Sequence, residues 1–345
     1  MSGLTNERIA AAADRAADAG FAGVVRVDVG HKVVHASAHG LADRAHSVPN
    51  TVDTQFAGAS ALKGCTALTI MSLVHAGVLT LDTCVTSILA ECESFVDPAV
   101  TIQHLLSHRS GIGEYCNELD TSRLPGAGAP TRGITAQCAI EHPAAITALM
   151  TGTPERSAPG VEFRYNNTGY VVLALLAETV TGTPLVELVD RHVFAPAGMS
   201  RSGILRYDEF DGDVAIGYLE RTGLRTNVHA VPNRGIGDGG LFTTADDMVR
   251  FWSALVNGTV VDAEVVSMMT SAQGQTPRGT PYGLGFWLDP TTDAVSLEGY
   301  DSGISFRSVH RPSTGVTWTV ASNWTDGAWP LADELALLTA TSKPL

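Results

Sequence analysis

The feature that most constrains this chain is where its strand-forming segments lie. Residues 23–30 and 32–38 alternate apolar and polar positions, and only the Gly30-His31 break separates them. That pattern predicts a β-hairpin and therefore an antiparallel start, not a βαβ unit. Four more strand-like runs follow near the other end, at 282–288, 294–298, 304–311 and 316–323. Between the two ends the period changes. Residues 60–75 are apolar on nearly every face, as in a helix buried all round, with Gly77 placed to end it. Further helices are expected at 5–18, 101–108, 143–151, 168–181, 184–193, 244–256 and 330–340. Gly-, Pro- and Ala-rich loops fill much of 120–160. Strands at both ends around a helical middle predict one composite domain from residues 1–55 and 275–345. The second, mainly helical unit is 56–274.

Composition narrows the function. Of 22 basic residues only Lys32, Lys63 and Lys343 are lysines, and 36 acidic residues bring the formal net charge to -14. Such a balance argues against a sequence-independent grip on nucleic acid and against attraction to anionic membranes. No stretch is apolar for the roughly 18 residues that a membrane span needs. The N-terminus lacks a signal-peptide core. A cytoplasmic protein with its five cysteines reduced is therefore expected. A Cys84–Cys92 bridge is the weaker alternative. Neither a metal nor a cofactor is expected, and the oligomeric state is not encoded in any recognisable pattern.

Ser60-Ala61-Leu62-Lys63 opens the buried helix. Positions i and i+3 share a helix face, so the Ser60 hydroxyl and the Lys63 amine can meet. A serine beside an amine, at the positive end of a helix, can become a nucleophile. The plain alternative is an N-cap serine and a solvated lysine, but a helix this apolar offers little solvent. Tyr165-Asn166-Asn167 precedes the helix at 168. A tyrosine held near a lysine can accept a proton; otherwise this is a strand-end tyrosine followed by an Asn cap.

Taken together, these motifs resemble the serine β-lactamase-like superfamily, in the branch of class C β-lactamases, D,D-carboxypeptidases and family VIII esterases. The resemblance extends through Val78-Leu79-Thr80-Leu81-Asp82, Leu105-Leu106-Ser107-His108, Phe163-Arg164-Tyr165-Asn166-Asn167 and Gly239-Gly240-Leu241-Phe242-Thr243 to Tyr282-Gly283-Leu284-Gly285-Phe286. It implies an α+β fold: a mixed domain whose antiparallel sheet is flanked by helices, beside an all-α domain. It also implies Ser60 as the acylated nucleophile, Lys63 and Tyr165 as its activators, and Asn167 as an orienting residue. The backbone N–H groups of Ser60 and Tyr300 would form the oxyanion hole.

The family's third motif, Lys-Thr-Gly or His-x-Gly, falls here on Leu297-Glu298-Gly299. Sliding to Asp301-Ser302-Gly303 also yields no cation. A charge for binding a substrate carboxylate is thus expected to be missing, and Glu298 either adds negative charge to the site or faces outward. The reading that follows is a serine hydrolase acting through an acyl-enzyme, with small neutral esters preferred over other esters and amides. A β-lactamase, D,D-peptidase or D-amino-acid amidase is the alternative, an acyltransferase the next, and a silent ligand-binding relative the non-enzymatic one.

Other signals carry less. Gly235-Ile236-Gly237-Asp238-Gly239-Gly240 matches GxGxxG without a βαβ unit around it. His104 and His108 have helical ligand spacing but no evident third ligand. His31, His35 and His39 read as hairpin surface residues, Cys65 as core. No Gly-x-Ser-x-Gly elbow exists, which disfavours an α/β-hydrolase.

Overall fold

In the computed structural model, residues 4–30, 32–115, 141–150 and 157–340 are described. The chain begins with α1 (Asn6–Asp18), β1 (Gly23–Val29), β2 (Lys32–His39), β3 (Leu41–Asp43), β4 (Val48–Pro49) and β5 (Phe56–Ala59). Helices α2 (Leu62–His75), α3 (Ile102–Leu106), α4 (Ala145–Met150), α5 (Asn167–Thr181) and α6 (Leu185–Val189) follow. A π-helical turn over Asp190–Phe194 carries α6 into α7 (Ala195–Ala197). Next come β6 (Gly203–Ile204), β7 (Leu241–Thr243), α8 (Ala245–Val256), α9 (Ala263–Met269), β8 (Gly274–Gln275), β9 (Pro281–Tyr282) and β10 (Trp287–Leu288). The chain closes with β11 (Val295–Asp301), β12 (Ile304–Arg311), β13 (Val316–Ser322) and α10 (Trp329–Ala340).

The two ends of the chain share one eight-stranded antiparallel sheet in the order β2-β1-β13-β12-β11-β10-β9-β8. Because side chains alternate along a strand, Val25 and Val27 of β1 face one way with Val316, Trp318 and Val320 of β13. There they pack on Ile9, Ala12 and Ala13 of α1 and on Leu331 and Leu335 of α10. Val24 faces the opposite side, toward the larger core that includes α2, α5 and α8. On that same face Arg26 bridges Asp28, which is buried, and Asp246 of α8.

Helix α2 is buried on every face from Leu62 to Met71. Its termination follows the sequence: Ala76 caps it and Gly77 takes φ +72, a conformation that costs glycine little. The segment 282–288 is two strands rather than one, because Gly285 turns the chain at φ +91. A Cβ at that turn would lie 2.4 Å from Ala67 Cβ, so the glycine lets β9 and β10 close onto α2. Helix α9 and the small sheet β5-β7-β6 lie beyond the sequence expectations. No single helix among the described residues is long and apolar enough to cross a membrane. Cys65, Cys84 and Cys92 are free thiols; Cys116, Cys138 and His31 lie outside the described residues.

Candidate active site

Strand β5 delivers the candidate nucleophile. Its last residue, Ala59, has φ +41, a left-handed conformation that non-glycine residues rarely adopt. This bend leads into Ser60, in the turn before α2. Ser60 is not the helix cap: that position is Ala61, with no side-chain hydrogen bond. Its hydroxyl instead faces Lys63.

Lys63 is only 2% exposed, so its charge cannot be solvated by water. Its Nζ lies 3.0 Å from Ser60 Oγ and 2.6 Å from Asn167 Oδ1, and also donates to the carbonyl of Asp238. Two of these three partners are carbonyl oxygens, which only accept. They occupy two N–H groups, and the third tetrahedral direction points at Ser60. An ammonium places an N–H there; a neutral amine places a lone pair there. A proton can therefore pass between Ser60 and Lys63 without moving either side chain.

Asn167 is the first residue of α5 and is held from two sides. Asn166 caps the helix by accepting from Gly169 N at 2.7 Å. Glu114 accepts from the backbone N–H groups of Asn167 at 2.7 Å and Thr168 at 3.2 Å. A carboxylate suits this helix end, where N–H groups lack intrahelical partners. Tyr165 sits two residues earlier, with Lys63 Nζ 4.9 Å from its ring centroid. Its ring stacks on Trp287 at 5.8 Å and 9°, and meets His108 at 4.4 Å with the two rings tilted by 36°.

His108 is buried and has φ +57. Its Nδ1 accepts from Asn166 N at 3.1 Å, which fixes the Nε2–H tautomer and ties the Tyr165-Asn166 backbone in place. Burial pushes this imidazole well below its ordinary pKa, and the Lys63 charge pushes it further. His108 is thus a neutral structural ring. His104 belongs to the capping box of α3 instead. No three metal-ligating side chains cluster among the described residues.

The cleft in front of Ser60 has a volume of about 330 Å³ and is lined by Tyr165, Trp287, Glu298, Gly299, Tyr300, Arg307 and Trp329. Glu298 therefore faces the cleft. Leu297 points the other way, into the core, where its Cδ2 stands 2.6 Å from where a Cβ on Gly64 would be. Gly299 brings β11 onto β5: a Cβ there would lie 1.8 Å from Gly58 O. Tyr300, the next residue, lines the same cleft as Ser60.

Three participants escape a reading of residue types. The Lys63 acceptor at Asp238 is a backbone carbonyl, so side-chain chemistry gives no hint of it. The glycine run around it is the available signal: Gly237, at φ +115, packs against α5, and Gly239 lies over Ala59. Glu114 is far from Asn167 in sequence. Arg307 is the third, and it changes an expectation: the cleft does contain a cation, contributed by β12 rather than by the motif strand. Cys65 is fully buried, and burial alone pushes its thiol up to about 12, which excludes a resting thiolate.

The sequence profile of the Beta-lactamase family matches residues 9–341. The chain belongs to the Beta-lactamase family. It is 29% identical over 283 residues to a D-aminopeptidase of Brucella anthropi, covering 79% of this chain and 50% of that one. It is likewise 29% identical over 300 residues to esterase EstB of Burkholderia gladioli, covering 76% and 74%. The chain spans between 50% and 63% of the length of the first curated relatives it matches. Among solved structures, a penicillin binding protein from Bacillus halodurans superposes with a TM-score of 0.83 at 28% identity, covering 96% of this chain and 98% of that one. The fold is the β-lactamase/transpeptidase-like α+β fold, and the family is one of serine hydrolases.

Proposed function

We propose that this chain is a serine hydrolase that forms an acyl-enzyme on Ser60, with small uncharged esters as its preferred substrates. The observation that carries the reading is the placement of Lys63 Nζ, buried between two carbonyl oxygens with its third direction on Ser60 Oγ. In this reading Ser60 Oγ attacks the substrate carbonyl while its proton passes to Lys63, or to Tyr165 beside it. The backbone N–H groups of Ser60 and Tyr300 stabilise the tetrahedral oxyanion. The alcohol leaves with the proton, and water then attacks the Ser60 ester and regenerates the serine. The site lies between two units, the ends of the chain (1–55 and 275–345) and its middle (56–274). Ser60, Lys63, Tyr165 and Asn167 come from the middle; Glu298 and Tyr300 come from the C-terminal strands.

The ester preference rests on the cleft wall. Trp287, Trp329 and Tyr165 offer apolar faces, and the Leu297 position holds no cation for a β-lactam or peptide carboxylate. The relatives include an esterase and a D-aminopeptidase, so the test is a panel of p-nitrophenyl butyrate, nitrocefin and a D-alanine amide. The butyrate is expected to turn over fastest, and Ser60→Ala to abolish turnover and the mass adduct with a fluorophosphonate. Turnover retained in Ser60→Ala refutes the nucleophile; faster turnover of nitrocefin or of the amide refutes the ester preference.

A further inference from the structure

Glu298 and Arg307 are cross-strand neighbours, paired in register on β11 and β12 with both side chains at the cleft. Arg307 Nε lies 2.9 Å from Glu298 Oε1. The two side chains form an ion pair across the strands. Arg307 is also held by Asp333 of α10 at 2.9 Å, and its guanidinium lies 5.2 Å from the Trp329 ring centroid. Glu298 and Arg307 are 34% and 21% exposed, which leaves them poorly solvated. The cation of this cleft is therefore present but occupied by two carboxylates and one aromatic face.

We infer that the Glu298–Arg307 pair is the specificity element of the cleft: Glu298 masks Arg307, and the masked pair rejects substrates whose acyl group carries a charge. This rests on Ser60 being the acylated nucleophile. A substrate carboxylate reaching for Arg307 meets Glu298 first and must displace it. A substrate ammonium reaching for Glu298 meets Arg307. Each approach sets like charges together where water screens them poorly. An uncharged acyl group meets neither obstacle and lies against Trp287 and Trp329. Removing the Glu298 charge should therefore open the cleft to anions, and removing the Arg307 charge should open it to cations. That opposite response separates masking from mere loss of structure.

The test compares kcat/KM for three p-nitrophenyl esters of similar length: butyrate, hemisuccinate (anionic) and 4-aminobutyrate (cationic). Glu298→Gln is expected to raise the hemisuccinate-to-butyrate ratio about tenfold, mainly through KM. Arg307→Gln is expected to lower that ratio and to raise the aminobutyrate-to-butyrate ratio. Asp333→Asn, on the outer side of Arg307, should shift the hemisuccinate ratio the same way as Glu298→Gln but by only about two- to threefold. It keeps the question open to measurement if Glu298→Gln does not fold. Ratios that stay fixed in all three variants, or that move the same way in Glu298→Gln and Arg307→Gln, overturn the inference while leaving Ser60 as the nucleophile. Loss of the Ser60 assignment shows separately, as butyrate turnover surviving Ser60→Ala.

Discussion

Gly299→Ala tests whether the approach of β11 to β5 sets up the oxyanion hole. The added methyl would stand 1.8 Å from Gly58 O and 2.6 Å from Gly58 C. An ordinary C···O contact is about 3.3 Å or more, so the strands must part by about 1.5 Å at this point. The obstacle is backbone, and no rotamer change relieves it. Gly58 is two residues before Ser60, and Tyr300 immediately follows Gly299, so the displacement falls between the two N–H groups proposed to hold the oxyanion. Misplacement by about 1 Å typically costs about a hundredfold in rate, and overpacking costs about 1–3 kcal/mol of stability. Gly299→Ala should therefore lose about a hundredfold in kcat/KM toward p-nitrophenyl butyrate. Its urea midpoint should fall by an amount matching about 1–3 kcal/mol. Labelling of Ser60 by a fluorophosphonate should slow in parallel, since that reaction also builds charge on an oxygen. Activity within about threefold of wild type, in a protein destabilised as stated, would falsify the geometric argument, because the strands would have moved without consequence for the chemistry.

Lys63→Met should keep the fold, since it replaces a buried ammonium by an apolar chain of similar length, and should abolish ester turnover; a variant retaining a tenth of wild-type kcat removes Lys63 from the mechanism. Ala59→Gly relieves the left-handed strain at φ +41 and should raise stability by up to about 1 kcal/mol while lowering kcat, because the turn that presents Ser60 becomes freer; a rise in both quantities contradicts a positioning role for the strain. His310, stacked on Trp252, is held down to about 4 by burial, with Asp293 opposing, so it is neutral in the folded protein at pH values where the unfolded chain binds a proton. Its contribution is complete above about pH 6.5 and falls by about 1.4 kcal/mol per pH unit as pH drops from there toward about 4. Urea midpoints at pH 7.5 and 5.5 should therefore converge in His310→Gln relative to wild type; identical pH slopes in the two proteins rule the imidazole out as the source.

What could be read from the sequence was whatever a single segment encodes. The hairpin at 23–38 shows its period within 16 residues, and α2 shows itself because Lys63 is the one polar cation in an apolar helix. Pairing of the chain's two ends followed from pattern too, since antiparallel runs without partners at one end require partners from the other. The features that escaped depend on distance. Glu114 reaches α5 across 53 residues, and the Asp238 carbonyl reaches Lys63 across 175. A backbone oxygen carries no residue identity, so only the surrounding glycines mark it. Arg307 shows the same limit most sharply. The motif strand itself offers no cation, because Leu297 turns into the core and Glu298 into the cleft. The charge sits one strand over, in register with Glu298, and register is a property of two segments together. A charge missing from one strand of a sheet-lined cleft can therefore be supplied by the residue opposite it on the next strand. In this chain that residue turns an absent cation into a masked one.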